Sequence, residues 1–209
     1  MAVTAAEPRP AVFLDKDGTL VANVPYNVEP DRMELLPGAG RALRRLQDAG
    51  YALVVVTNQS GVARGYFPPT ALRAVRWRLE SLLDPFGVRL DDFRACVHHP
   101  KGVVAPYARE CDCRKPKPGL LLGAAVANGI DLSRSWMVGD ILDDVEAGCR
   151  AGCRTVLLDG PGVGGETEWL PGECRDPDCT AGDLEAAAEA ILATPVRPKE
   201  ARCNATYSN

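Results

Sequence analysis

The chain has 209 residues, 24 Lys+Arg against 28 Asp+Glu, a formal net charge of −4 and 46% apolar residues. That balance suits a globular domain with a sizeable core and excludes wholesale disorder. It also argues against a nucleic-acid partner held by phosphate neutralisation, and no apolar run approaches the roughly 18–20 residues that cross a bilayer. The first residues, MAVTAAEPRP, show no basic stretch leading into an apolar one, so the chain is expected to be cytoplasmic and away from membranes. Persistent disulfides are rare in that compartment, which leaves 8 cysteines to explain.

Strand-like and helix-like segments alternate along the chain. Val12-Phe13-Leu14 is a short apolar run that stops at Asp15-Lys16-Asp17-Gly18. Residues 37–49 read as a helix, with Pro37 near its start, Leu43 and Leu46 on one face and Gly50 just beyond its end. A valine-rich strand over 51–56 runs into Thr57-Asn58-Gln59-Ser60-Gly61. A second helix is predicted over 70–83, with Thr70 as its N-cap. Then follow a strand at 93–97, a helix at 118–128 stopped by Gly129, and a strand at 136–138 ending on Gly139-Asp140. A short helix at 143–150, a strand at 155–158 and an Ala-rich helix at 183–193 complete the pattern. Uniformly apolar strands between amphipathic helices predict an α/β fold, a three-layer parallel sheet with helices on both faces.

Ligands of such sheets bind outside the carboxyl ends of the strands. Three of those ends carry polar groups here: Asp15 and Asp17, Thr57 and Asn58, and Asp140. Gathered carboxylates repel one another unless a cation sits between them, and hard oxygens at this density suit Mg²⁺. Asp15 and Asp17, two residues apart at a strand end, can share one side. One could attack phosphorus while the other moves a proton. A calcium loop is the competing use of Asp-x-Asp-Gly, but an EF-hand needs Glu at its twelfth position, which counted from Asp15 is Tyr26.

A second cluster involves both histidines of the chain, in Cys96-Val97-His98-His99, followed by Cys111-Asp112-Cys113. Three thiols and an imidazole in two short pairs suit a tetrahedral structural zinc site with no open position. Strand alternation puts Cys96 and His98 on one face and His99 on the other, which favours Cys96, His98, Cys111 and Cys113 as ligands. Buried free thiols or a disulfide are the alternatives.

Asp15-Lys16-Asp17-Gly18-Thr19, Thr57, Lys115 and Gly139-Asp140 with Asp143-Asp144, in this order, resemble the four motifs of the haloacid dehalogenase-like phosphatases. Cys-x-His-His-Pro followed by Cys-x-Cys-Arg-Lys-Pro is similar to the zinc-bearing subgroup, which includes heptose bisphosphate and histidinol-phosphate phosphatases. The runs 54–65 and 113–119 look most like the heptose enzymes. The resemblance implies a capless fold, a phosphorylated sugar substrate and a monomer. It further implies an Asp15 nucleophile, an Asp17 acid/base, and Thr57 and Lys115 on the phosphoryl oxygens. Mg²⁺ would be held by Asp15, Asp140 and the Asp17 carbonyl. Substrate contacts would come from Asn23, Val24, Pro25, Tyr26, Asn58, Gln59, Ser60 and Arg114. One departure is Ile141, where the heptose enzymes often carry lysine. The expected division is a flexible stretch at 1–10, a single phosphatase domain at 11–193 with a zinc loop at 96–113 and an irregular loop at 160–182, and a flexible tail at 194–209. Histidinol phosphate, or another small sugar phosphate, remains an alternative substrate, and a non-catalytic zinc-stabilised binding module a more distant reading.

Overall fold

Four consecutive residues of the first strand and six of the seven in the second are buried, which only a sheet covered on both faces can accommodate. The computed structural model describes residues 7–160 and 174–196. Its strands are β1 (Ala11–Leu14), β2 (Ala52–Asn58), β3 (Asp92–Cys96), β4 (Trp136–Gly139), β5 (Arg154–Leu158) and β6 (Cys179–Ala181). They form one parallel sheet in the order β3-β2-β1-β4-β5-β6. The helices are α1 (Ala39–Asp48), α2 (Ala71–Leu83), α3 (Gly119–Asn128), α4 (Leu142–Arg150) and α5 (Leu184–Ala193).

Side-chain alternation along the strands divides the core in two. Val12, Leu14, Leu53, Val55 and Val138 pack with Leu43 and Leu46 of α1, Val75 and Leu79 of α2 and Leu184 and Ile191 of α5. Ala11, Phe13, Val54, Val56 and Met137 pack on the opposite face with Leu121 and Ala124 of α3 and Ala147 of α4. The three expected layers are therefore present. Phe13 is fully buried in the second cluster, so Phe13→Ala should cost about 3–5 kcal/mol. At roughly 2–4 °C per kcal/mol, calorimetry should show a fall in Tm of about 6–20 °C; an unchanged Tm would mean that this face of the core repacks freely.

Several local expectations change. Thr70 makes no side-chain cap and its backbone is already helical, because the turn before α2 is closed by backbone bonds to Pro68 and Pro69 instead. Strand β3 is only half-buried, since it forms an edge of the sheet and carries an Arg94–Asp92 pair. Part of the expected loop at 160–182 is strand β6, whose three residues are too few for a readable pattern; residues 161–173 of that loop lie outside the described residues. The start of the expected flexible stretch lies outside them too, while Arg9 donates its amide to the Gly129 carbonyl and Pro10 accepts from Ala52. Of the expected tail, 197–209 lies outside the described residues. Among the described residues, no helix is long and apolar enough to cross a membrane.

Candidate active site

In this strand order β2 lies on one side of β1 and β4 on the other, so the chain leaves the carboxyl ends of β1 and β4 in opposite directions. A crevice opens where connections diverge in this way. Leu14 is in register with Val138, and the Asp15 amide donates to the Val138 carbonyl at 3.0 Å. The carboxylates of Asp15 and Asp140 thus reach one place from positions 125 residues apart in sequence.

The crevice holds a cleft of about 380 Å³. Asp15, Asp17, Thr57, Lys115 and Asp140 line it, as do Asn23, Val24, Pro25 and Tyr26. So do Asn58, Gln59, Ser60 and Arg114, so every residue expected at the catalytic and substrate positions faces one cavity. Ile141 and Asp143 line it too.

At its floor, Lys115 Nζ contacts Asp15 Oδ1 at 2.5 Å, Asp144 Oδ1 at 2.6 Å and the Val56 carbonyl at 2.9 Å. Burial alone would favour the neutral amine, but Asp144 and Asp15 outweigh it and raise the Lys115 pKa. The cation is therefore fixed beside Asp15 at any ordinary pH. Asp17 is held differently. Lys16, itself buried, pairs with one carboxylate oxygen, and the Gln59 amide donates to the other at 3.0 Å. Burial pushes the Asp17 pKa up, with Lys16 opposing and the neighbouring Asp15 charge reinforcing it. The same Gln59 amide reaches Thr57 Oγ1 at 3.0 Å.

Two expected substrate contacts also carry internal duties. The Asn58 side chain donates to the Lys115 carbonyl and accepts from the Lys115 amide, both at 3.1 Å, so it clamps the backbone that presents the lysine. Gln59 orients Asp17 and Thr57, as above. Sequence reasoning assigned no role to Asp144, although it stands in the quoted Asp143-Asp144 pair. Its position in the first turn of α4 was the available signal. The pairing of Lys16 with Asp17 carried no such signal.

Carboxylate oxygens of Asp15, Asp140 and Asp144 lie within 4.8 Å of one another, all buried. Lys115 already matches Asp144 and one oxygen of Asp15, and the hard oxygens that remain on Asp15 and Asp140 suit a small divalent cation. Gly18 makes this approach possible. Its φ is +80°, and a Cβ there would lie 2.2 Å from Asp140 Oδ2. Gly18→Ala should therefore displace Asp140 and cut kcat at least about tenfold, the loss expected from some 1.4 kcal/mol of misplacement. Normal kinetics in that variant would show that Asp140 tolerates the shift.

The cysteine–histidine cluster lies between the end of β3 and the Arg114-Lys115 segment. Cys96, Cys111 and Cys113 lie 3.2–3.6 Å apart, and His98 Nδ1 is 3.3 Å from Cys113 Sγ. A tetrahedron with Zn–S near 2.3 Å has edges of roughly 3.8 Å, so these donors fit a zinc ion. Hydrogen bonding shared with Cys96, then with Cys111 and His98, lowers the Cys113 pKa to about 5, while the bond with Cys113 and then burial raise that of Cys96. His99 points elsewhere and accepts from the Lys101 amide. The cluster connects to the cleft through backbone: the Gln59 amide donates to the Cys96 carbonyl at 2.7 Å.

The sheet with its switch point, and the cleft built on it, have counterparts among known hydrolases. A family model described as HAD-hydrolase-like matches residues 112–188. A D-glycero-beta-D-manno-heptose-1,7-bisphosphate 7-phosphatase of Rhodopseudomonas palustris is 42% identical over 163 residues, 77% of this chain and 90% of that one. The Escherichia coli K12 enzyme of the same name is 45% identical over 150 residues, 71% and 78% of the two chains. The solved D,D-heptose 1,7-bisphosphate phosphatase of B. bronchiseptica, complexed with magnesium and phosphate, superposes with a TM-score of 0.72. It is 33% identical and covers 88% of this chain and 98% of that one. The chain belongs to the D-glycero-beta-D-manno-heptose-1,7-bisphosphate 7-phosphatase family of these hydrolases.

Proposed function

We propose that the chain hydrolyses the 7-phosphate of D-glycero-beta-D-manno-heptose 1,7-bisphosphate through a phospho-aspartate on Asp15. The observation that carries this reading is the meeting of Asp15, Lys115 and Asp140 in one cleft. Its substrate half is supported by the relatives, which are named for that reaction.

In the first step an Asp15 carboxylate oxygen attacks phosphorus, the bond from phosphorus to the sugar oxygen breaks, and Asp17 passes its proton to that oxygen. A raised Asp17 pKa suits this, because the acid must hold its proton in a neutral medium. In the second step Asp17 takes a proton from water as the water oxygen attacks phosphorus. The bond to Asp15 breaks and phosphate leaves. Two anions approach each other in the first step, so Lys115 beside Asp15 offsets the repulsion. Thr57 donates its hydroxyl to a phosphoryl oxygen, and Gln59 keeps both Thr57 and Asp17 in place. Magnesium, when bound, supplies further charge neutralisation; Asp15, Asp140 and the Asp17 carbonyl would hold it. Zinc on Cys96, His98, Cys111 and Cys113 would be structural. Arg114 and the 23–26 loop would contact the rest of the substrate. The same reading takes the chain as a cytoplasmic monomer, which light scattering and cell fractionation would test.

The test is phosphate release, with Mg²⁺ present, from the α and β anomers of the bisphosphate and from histidinol phosphate. The β anomer should exceed histidinol phosphate in kcat/KM by tenfold or more, worth about 1.4 kcal/mol in transition-state binding. A preference for histidinol phosphate would keep the residue roles and overturn the substrate.

A further inference from the structure

The first turns of α4 carry three buried acids, Asp143, Asp144 and Glu146, of which Asp144 is matched by Lys115. The other two meet Arg175, which reaches them from a separate part of the chain. Arg175 Nη2 lies 3.0 Å from Asp143 Oδ1, and Arg175 Nε lies 2.6 Å from Glu146 Oε2. The remaining Glu146 oxygen pairs with Arg150. All three side chains of the Asp143–Arg175–Glu146 group are at most 10% exposed, so the pairing is sheltered from solvent.

Asp143 also lines the cleft, as do Arg114 and Ile141. A carboxylate there faces a space meant for an anion. Left unmatched, it would repel a phosphate bound there and would compete with it for the Arg114 guanidinium, whose charge already acts on Asp143. Arg175 does not line the cleft; with Glu146 and Arg150 it lines a second cavity, and Arg114 reaches both. Its fork spans two carboxylates at fixed angles, which a lysine cannot do.

We infer that Arg175 is a positioning residue that neutralises and holds Asp143, keeping Arg114 open to the second, non-reacting phosphate of the substrate. This rests on the bisphosphate reading above. Chemistry occurs at the floor, at Asp15, so Arg175 should govern the affinity for a doubly phosphorylated sugar and leave the step itself alone.

The experiment compares wild type, R175A, R175K and the double variant D143N/R175A on two substrates: the heptose bisphosphate and the same sugar carrying only the 7-phosphate. Thermal melts are recorded on the same samples. R175A should raise KM for the bisphosphate tenfold or more, with kcat within twofold, and change KM for the monophosphate less than threefold. R175K should show a smaller increase confined to the bisphosphate, and it serves in place of R175A should that variant not fold. D143N/R175A should recover most of the loss, because no unmatched charge remains. Equal losses on both substrates, or a double variant no better than R175A, would overturn the inference and leave Arg175 a purely structural brace. Failure of the wild type to turn over the bisphosphate would instead sink the substrate assignment.

Discussion

Asp15→Asn should abolish turnover and leave the fold intact. The amide matches the carboxylate in shape but cannot attack phosphorus, and losing a covalent nucleophile costs on the order of 10⁴–10⁶ in kcat. The effect on stability should be small and depend on the metal. Lys115 keeps Asp144 and the Val56 carbonyl as partners, and the mutual repulsion of Asp15, Asp140 and Asp144 falls. Without Mg²⁺ the variant should therefore melt at or slightly above the wild-type temperature. Adding Mg²⁺ should raise the wild-type Tm and raise that of the variant less, since binding to the folded state stabilises it in proportion to affinity. Normal phosphate release by this variant would overturn the phospho-aspartate route.

Loss of the proposed zinc should have the second largest effect. Cys111→Ser replaces a thiolate by a poor zinc ligand and leaves two thiols and an imidazole. Zinc sites of this type contribute roughly 10–16 kcal/mol of apparent binding energy to small domains. Losing even a third of that, about 4 kcal/mol, should lower Tm by roughly 8–16 °C. Activity should fall as well, because the loop from Cys113 runs directly into Arg114 and Lys115. Outside the metal, that loop is tied down by the Asn58 side chain on Lys115 and by the Gly119 amide on the Asp112 carbonyl. Chelation should thus release about one equivalent of zinc and lower kcat/KM and Tm together. A variant that melts like wild type and keeps its zinc would show that the ligands are wrong. Release of zinc with unchanged turnover would show that the loop does not depend on it to present Lys115.

The parts of this fold that read clearly are those in which local pattern and tertiary environment agree. The valine run of β2 is buried on both faces, and a continuous apolar strand announces that directly. Helix α1 carries Leu43 and Leu46 on one stripe, and that stripe is the buried one. Edges are harder. Strand β3 reads Asp-Phe-Arg-Ala-Cys because a neighbour covers it on one side only, and β6 has three residues. The strand order itself depends on contacts between distant segments and leaves no local trace.

The site follows the same rule. Asp15, Asp17, Thr57 and Asp140 were legible because strand ends are where such sheets bind ligands. The choice of His98 over His99 followed from alternation, and the cluster has His98 Nδ1 against Cys113. What remained hidden were the contacts that cross between elements. Asn58 reads as a polar residue at the mouth of a cleft, yet its amide holds Lys115 from 57 positions away. Lys16 stands between two motif aspartates and could have faced solvent, but it is buried against Asp17. Arg175 lies in a stretch with no periodicity, and only the folded chain brings it to α4.

The placement of β1 between β2 and β4 has a consequence for synthesis. Strands β1 and β2 can pair as soon as β2 has left the ribosome, but β4 begins only at Trp136. Until then Ala11–Leu14, fully buried in the finished protein, presents an open backbone edge to the cell. Exposed apolar edges recruit other strands, and slow closure of distant parallel pairs prolongs that exposure. The growing chain should therefore be a client of chaperones until β4 has been made. It should also lack turnover over that time, because Asp140 and Asp144 are made after Asp15, Asp17, Thr57 and Lys115. A product terminated before Asp140 would carry Asp15 without the carboxylates of the proposed magnesium site.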